Sequence, residues 1–156
     1  MAAATGFSLD ISKWIEKAGG NMDAVVRKIA FDIGARIIMR TPVDKGRARG
    51  NWVLGVGHPV INPDTSKCDR YRTKANPRGA GNSSAKADLL VGLDAYKPGK
   101  DQSIFITNSV PYIGRLEYGW SKQAPTGMVR VTLAEFGAVA QGAVRDAQNG
   151  RGGVND

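Results

Sequence analysis

The sequence predicts an α+β chain, because two stretches of helical period, 21–40 and 129–147, bracket two short runs of strand character, 47–57 and 103–107. In the first helical stretch Val25 or Val26, Ile29, Ile33 and Ile37 fall on one stripe, while Arg27, Lys28, Asp32 and Arg36 fall largely on other faces. Trp52, Leu54 and Val56 alternate with Asn51, Val53 and Gly55, and Ser103-Ile-Phe-Ile-Thr107 is β-branched and aromatic. A length of 156 residues, 42% of them hydrophobic, suits one domain spanning 1–156 with a real core. Its ordered part is expected over 7–148, with a flexible Gly-rich tail at 149–156.

Taken in order, Phe7, Ile11, Trp14, Ile15 and Ala18 share helical spacing, Ser8 or Asp10 can cap that helix, and Gly19-Gly20 ends it. Asn21 or Asp23 opens the long helix, and Pro42 stops it by disfavouring helical geometry at Thr41. Gly34 inside it costs about 1 kcal/mol relative to Ala, which either a close backbone neighbour or simple tolerance would explain. Pro42-Val-Asp-Lys-Gly46 is turn chemistry: proline fixes one φ, Asp44 can cap locally and Gly46 permits a positive φ. Starting the strand at Arg47 puts Arg47 and Arg49 on one face, where they either pair with acids of a neighbouring subunit or line solvent. Residues 58–83 form a long basic loop, of a length that is usually functional or disordered. Ser83 or Ser84 is expected to cap a short helix reaching Tyr96 with Leu89, Leu90 and Leu93 inward, a strand at 88–94 being the alternative. Tyr112 to Tyr118 reads as one or two helical turns ended by Gly119. In the last helix Val129, Leu133, Phe136, Ala140, Ala143 and Ala147 make a stripe that narrows to alanine. That seam packs either on the chain's own sheet or on a neighbouring subunit.

The 22 basic and 14 acidic side chains leave a net charge of +8, which favours a polyanionic partner or an acidic protein surface. A single cysteine, Cys68, forms no internal disulfide, and a single histidine, His58, removes His-pair metal motifs. Both read as solvated loop side chains. Gly55-Val-Gly57 and Gly79-Ala-Gly81 lack the Gly-Lys-Ser/Thr ending of a phosphate loop, and no carboxylates sit at metal-ligand spacing. No enzyme activity, metal or cofactor is therefore expected. The N-terminus lacks the basic and apolar regions of a secretory signal. The most apolar run, 29–39, is interrupted by Asp32 and Arg36 and is too short to span a bilayer. A soluble intracellular product with no membrane partner is the expectation. Lys67, Arg70, Arg72, Lys74 and Arg78 interleave with Tyr71, and such a set can hold phosphates and stack on a base, or simply be solvated. Sequence-independent nucleic-acid binding by the 62–88 loop is thus the alternative function.

Thr41-Pro-Val-Asp-Lys-Gly-Arg-Ala-Arg-Gly-Asn-Trp52 is followed much later by Ile106-Thr-Asn-Ser-Val-Pro-Tyr-Ile-Gly-Arg-Leu-Glu-Tyr-Gly-Trp120 and then Ser121-Lys-Gln-Ala-Pro-Thr-Gly-Met-Val-Arg130. In order and spacing these segments resemble the tail-completion, or neck, proteins of long-tailed bacteriophages, over roughly 22–145 and with little contribution from 58–100. Lys45 stands where the family usually has threonine. The resemblance implies a small antiparallel sheet packed against a long N-terminal helix and a C-terminal helix. It also implies a ring, commonly a hexamer, at the head–tail junction of the virion, made in the host cytoplasm and joined to head-closure and tail-terminator proteins. No catalysis is implied. Arg47, Arg49, Trp52, Tyr112, Glu117, Tyr118 and Trp120 become candidate contacts with a ring mate or neighbouring ring, with Glu117 meeting Arg47 or Arg49 across a subunit boundary, the alternatives being a pair within the chain or no pair. The basic excess, including Lys67, Arg70, Arg72, Lys74 and Arg78, would face DNA in the channel or an acidic neighbouring ring.

Overall fold

The computed structural model describes residues 22–69, 83–97, 100 and 102–149; the helix expected at 7–18 and most of the tail lie outside them. The long helix α1 runs Met22–Arg40 with Asp23 in its first turn, as its pattern predicts. Its buried surface is wider than one stripe: Ala30, Gly34 and Ile38 join Val25, Ile33 and Ile37. The extra positions reflect cover from two sides, by a central helix on one and by the C-terminal helices on the other. Gly34 has a close neighbour, since a Cβ there would stand 2.5 Å from a methyl of buried Leu89.

Past Thr41 the chain turns at Gly46, which adopts φ +84°, and a one-turn helix follows, α2, Arg47–Gly50. A strand had been expected from Arg47. The difference arises because the Gly50 N–H returns to the Gly46 carbonyl at 2.9 Å, so strand β1 begins only at Trp52 and runs to Val56. Gly55 is also buried, because the chain folds back over it: a Cβ there would meet the His58 carbonyl and Val60. β1 pairs antiparallel with β2, Ile104–Asn108, in the register Trp52 with Asn108, Leu54 with Ile106 and Val56 with Ile104. The sheet has these two strands only among the described residues.

Helix α3, Ser84–Leu93, is capped by the Ser83 hydroxyl, which accepts from the Lys86 N–H. It buries Ala85, Leu89 and Leu93 against β1 and α1, while Leu90 is only half-buried and the helix stops short of Tyr96. Helix α4, Ile113–Glu117, gives way to Gly119 at φ +84°. The C-terminal stripe does not make one helix. It divides at Glu135 into α5, Val129–Ala134, and α6, Phe136–Gln148, where the Glu135 carboxylate reaches Arg36 at 2.6 Å and Arg40 at 2.6 Å on α1. The break moves Leu133 outward, 54% exposed, and buries Thr132 in its place. Val139, Ala140, Ala143 and Val144 are the buried positions of α6, which packs on α1 of the same chain rather than on the sheet. No helix among the described residues is long and apolar enough to cross a membrane.

Glycine positions on two helices should respond oppositely to an added methyl. At Gly92 a Cβ would lie 2.5 Å from the Leu54 carbonyl oxygen, a backbone atom of β1. Gly92→Ala should therefore lose about 1–3 kcal/mol through overpacking. At Gly142 on α6 no neighbour stands within 4 Å, and Gly142→Ala should gain about 0.5–1 kcal/mol of helix propensity. Urea unfolding midpoints of the two variants check the pair.

Candidate docking surface

The end of α1 is buried and must find donors for its last carbonyls, which have no partner within the helix. Thr41 Oγ1 donates to the Ile37 carbonyl at 2.7 Å and accepts from Trp52 Nε1 at 2.8 Å. Arg49 folds back from α2 and donates to the carbonyls of Met39 at 3.1 Å and Thr41 at 3.0 Å. Arg49 is 2% exposed and Trp52 4%, so both candidate contact residues belong to the interior. Arg47 points elsewhere: its guanidinium is held by the carbonyl and hydroxyl of Thr65, at 2.8 and 2.6 Å. It lies 5.8 Å from the centre of the half-buried Tyr112 ring. The two arginines share no face, because two residues apart in a helix they point to different sides, whereas in a strand they would point to the same one.

The two sequence segments that carry the family resemblance meet in space. Asn108 Nδ2 donates to the Ala48 carbonyl at 2.7 Å. The Gln123 amide brackets Val43, accepting from its N–H at 3.0 Å and donating to its carbonyl at 3.1 Å. A cleft of about 350 Å³ lies where they join, lined in part by Pro42, Arg47, Tyr112 and Gln123.

Within the chain Glu117 is engaged by neither Arg47 nor Arg49. Its carboxylate accepts from the N–H groups of Met128 at 2.8 Å, Val129 at 2.9 Å and Arg130 at 3.0 Å, the otherwise unpaired donors at the start of α5. The Arg130 side chain completes the clasp, with Nε 3.2 Å from the carboxylate and Nη2 2.7 Å from the Glu117 carbonyl. Gly127 has to approach closely to allow this: at φ +91° a Cβ would lie 2.5 Å from the Glu117 carbonyl oxygen. Burial alone would raise the Glu117 pKa, but the hydrogen bonds from Arg130, Val129 and Met128 outweigh it and hold the carboxyl below the ordinary range.

The clasp fixes the next residues as a projecting rim. Tyr118 is 74% exposed and Trp120 71%. Each ring carries a guanidinium, Arg130 at 5.0 Å from the Tyr118 centre and Arg115 at 4.9 Å from that of Trp120. Arg115 and Arg130 were not among the residues singled out from the sequence, although both lie within the quoted segments. Their spacing from the rings they stack on, five residues across the end of α4 and twelve along the chain, gives no local signal.

On the basic loop, Lys67 is ion-paired with Asp88 of α3, and Arg70, Arg72, Lys74 and Arg78 lie outside the described residues. His58 and Cys68 are exposed. Among the described residues no group of three or more His, Cys, Asp or Glu could hold a metal. No protein-family model, curated protein or solved structure matches the chain.

Two predictions follow the chemistry of these contacts. Arg49→Met should cost about 1–3 kcal/mol, since it strips donors from buried carbonyls, whereas Arg47→Met, at an exposed position, should stay within about 1 kcal/mol; chemical denaturation separates them. A carboxyl whose folded pKa is lowered stabilises fully above its unfolded pKa, about 4.3, and loses that contribution as pH falls through the folded value. Glu117→Gln should therefore be less stable than the parent at neutral pH and show a flatter loss of stability below about pH 4, read from unfolding midpoints against pH.

Proposed function

We propose that the chain is a structural virion protein of the bacteriophage neck, a ring-forming tail-completion subunit that enables a finished tail to join a filled head. The observation that carries this reading is the ordered set of segments at 41–52 and 106–130 that resembles the family. Their contact through Asn108 and Gln123 adds support, because it makes them one unit instead of separate fragments. The role asks for rigid, unlike surfaces on a small chain, since a head-to-tail ring is built from heterologous contacts. The aromatic rim locked by Glu117 adds a rigid surface for a neighbouring neck protein. The reading assigns no catalysis and no cofactor. Its partners are further copies of the chain, commonly six in the family, and the head-closure and tail-terminator proteins. The alternative of nucleic-acid binding by the 62–88 loop gains nothing from Lys67, whose ammonium is engaged by Asp88.

Deleting the gene in the phage that encodes it, followed by negative-stain microscopy of lysates, tests the role. The expected result is filled heads and free tails lying unjoined, restored to joined particles by the gene in trans. Intact infectious particles from the deletion would overturn the reading.

A further inference from the structure

Between 109 and 134 the chain carries three basic side chains, Arg115, Lys122 and Arg130, and one acidic one, Glu117. All three cations are exposed. The lone acid is turned inward, its oxygens occupied by the N-terminal N–H groups of α5 and by Arg130. Three of the exposed large apolar side chains of the described residues, Tyr118, Trp120 and Leu133, stand in the same stretch. Leu133 lies one turn beyond Arg130 on α5, so the two share a face. The result is a surface of Trp, Tyr, Leu and Arg whose excess positive charge rests on Arg115 and Lys122, Arg130 being paired with Glu117. Exposed apolar groups clustered this way mark an interaction site, and Trp, Tyr and Arg are the residues that dominate protein interface energetics.

We infer that this rim docks an acidic protein segment in which carboxylates flank aliphatic side chains. The carboxylates would meet Arg115 and Lys122, and the aliphatic groups would cover the free faces of Tyr118 and Trp120 and reach Leu133. The inference deepens the neck reading and rests on it in taking the occupant to be another structural protein. Charge argues against a second copy of this chain as that occupant. Its described carboxylates are largely committed internally, Asp23 to Arg27, Asp32 to Lys28, Asp88 to Lys67 and Glu135 to Arg36 and Arg40. Those that remain, among them Asp44, Asp94 and Asp146, fall on a turn, the end of α3 and α6, separate stretches of a chain whose net charge is +8. A polynucleotide would use the cations but leave Leu133 without a role.

The rim is also preorganised. Glu117 pins it to α5, Gly119 and Gly127 hold the turns at its two ends, and both rings are already stacked by a guanidinium. Little ordering cost is left for binding.

The test is a fluorescence titration of the full chain with four probes: a labelled amphipathic Glu/Leu peptide, the same peptide with Lys for Glu, an oligothymidylate, and phosphatidylserine vesicles. Sedimentation equilibrium of the chain alone runs alongside. The expected result is binding of the Glu/Leu peptide that weakens with salt and falls about tenfold or more in each of Trp120→Ala and Arg115→Glu. Both residues are exposed, and circular dichroism confirms that the variants remain folded. Absence of Glu/Leu binding, or binding that both variants leave unchanged, would overturn the inference. So would equal binding of the Lys peptide. Binding of oligothymidylate or vesicles lost in the same two variants, or self-association abolished by them, would reassign the rim to a nucleic acid, a membrane or a second copy and equally overturn it. Failure here leaves the deletion phenotype to decide the neck role, and joined infectious particles in that experiment remove the role without touching the peptide result.

Discussion

Much of the molecule is organised around the buried end of α1. Pro42 prevents the helix from continuing, yet the helix stops inside the protein, where carbonyl oxygens cannot turn to water. The chain meets that demand with Thr41 and with Arg49 brought back from α2. The consequences spread outward. Returning Arg49 to the helix end requires the left-handed turn at Gly46, and the Thr41 hydroxyl fixes Trp52 and so the start of β1. The register of β1 then places Asn108 at the end of β2, close enough to hold the Ala48 carbonyl. A guanidinium in the interior is costly unless it is hydrogen-bonded, and here Nη2 of Arg49 donates to the backbone carbonyls of both Met39 and Thr41.

A second polar anchor performs a comparable service for the far end of the molecule. Glu135 bridges to Arg36 and Arg40, and Arg40 also donates to the Thr132 hydroxyl, so the junction of α5 and α6 is tied to α1. Glu117 in turn ties α4 to α5. The rim at 118–120 is thus linked back to the long helix through a short series of charged contacts, and its rigidity is a property of the whole fold.

What could be read from the sequence was what is decided locally. The extent of α1, the turn at Gly46, the position of β2, the Ser83 cap and the stop at Gly119 depend on neighbours a few residues away, and each appears where pattern places it within a residue or so. The errors fall where a distant partner decides. Arg47-Ala-Arg49 alternates like a strand, but its conformation is set by carbonyls at 39, 41 and 65. The C-terminal stripe runs unbroken in sequence and is broken by arginines on α1, which exchange Leu133 for Thr132 at the buried position. Glu117 reads from sequence as a partner for Arg47 or Arg49 because most of its partners are backbone N–H groups, which no residue type announces. Among the candidate contact residues Arg47, Tyr118 and Trp120 are exposed, and the arginines stacked on the last two had to be seen in three dimensions.

The way the long loop is attached also places α3. Asp69 donates its N–H to the Gly46 carbonyl at 2.8 Å, and its carboxylate accepts from the Ala85 N–H at 3.2 Å, at the first turn of α3. Positions 69 and 85 are therefore held at one spot beside the Gly46 turn, so the turn after α1, the segment that follows β1 and the first turn of α3 share a single joint. The glycine turn that returns Arg49 to the end of α1 thus also locates where α3 begins, and stretches distant in sequence are assembled about one pivot.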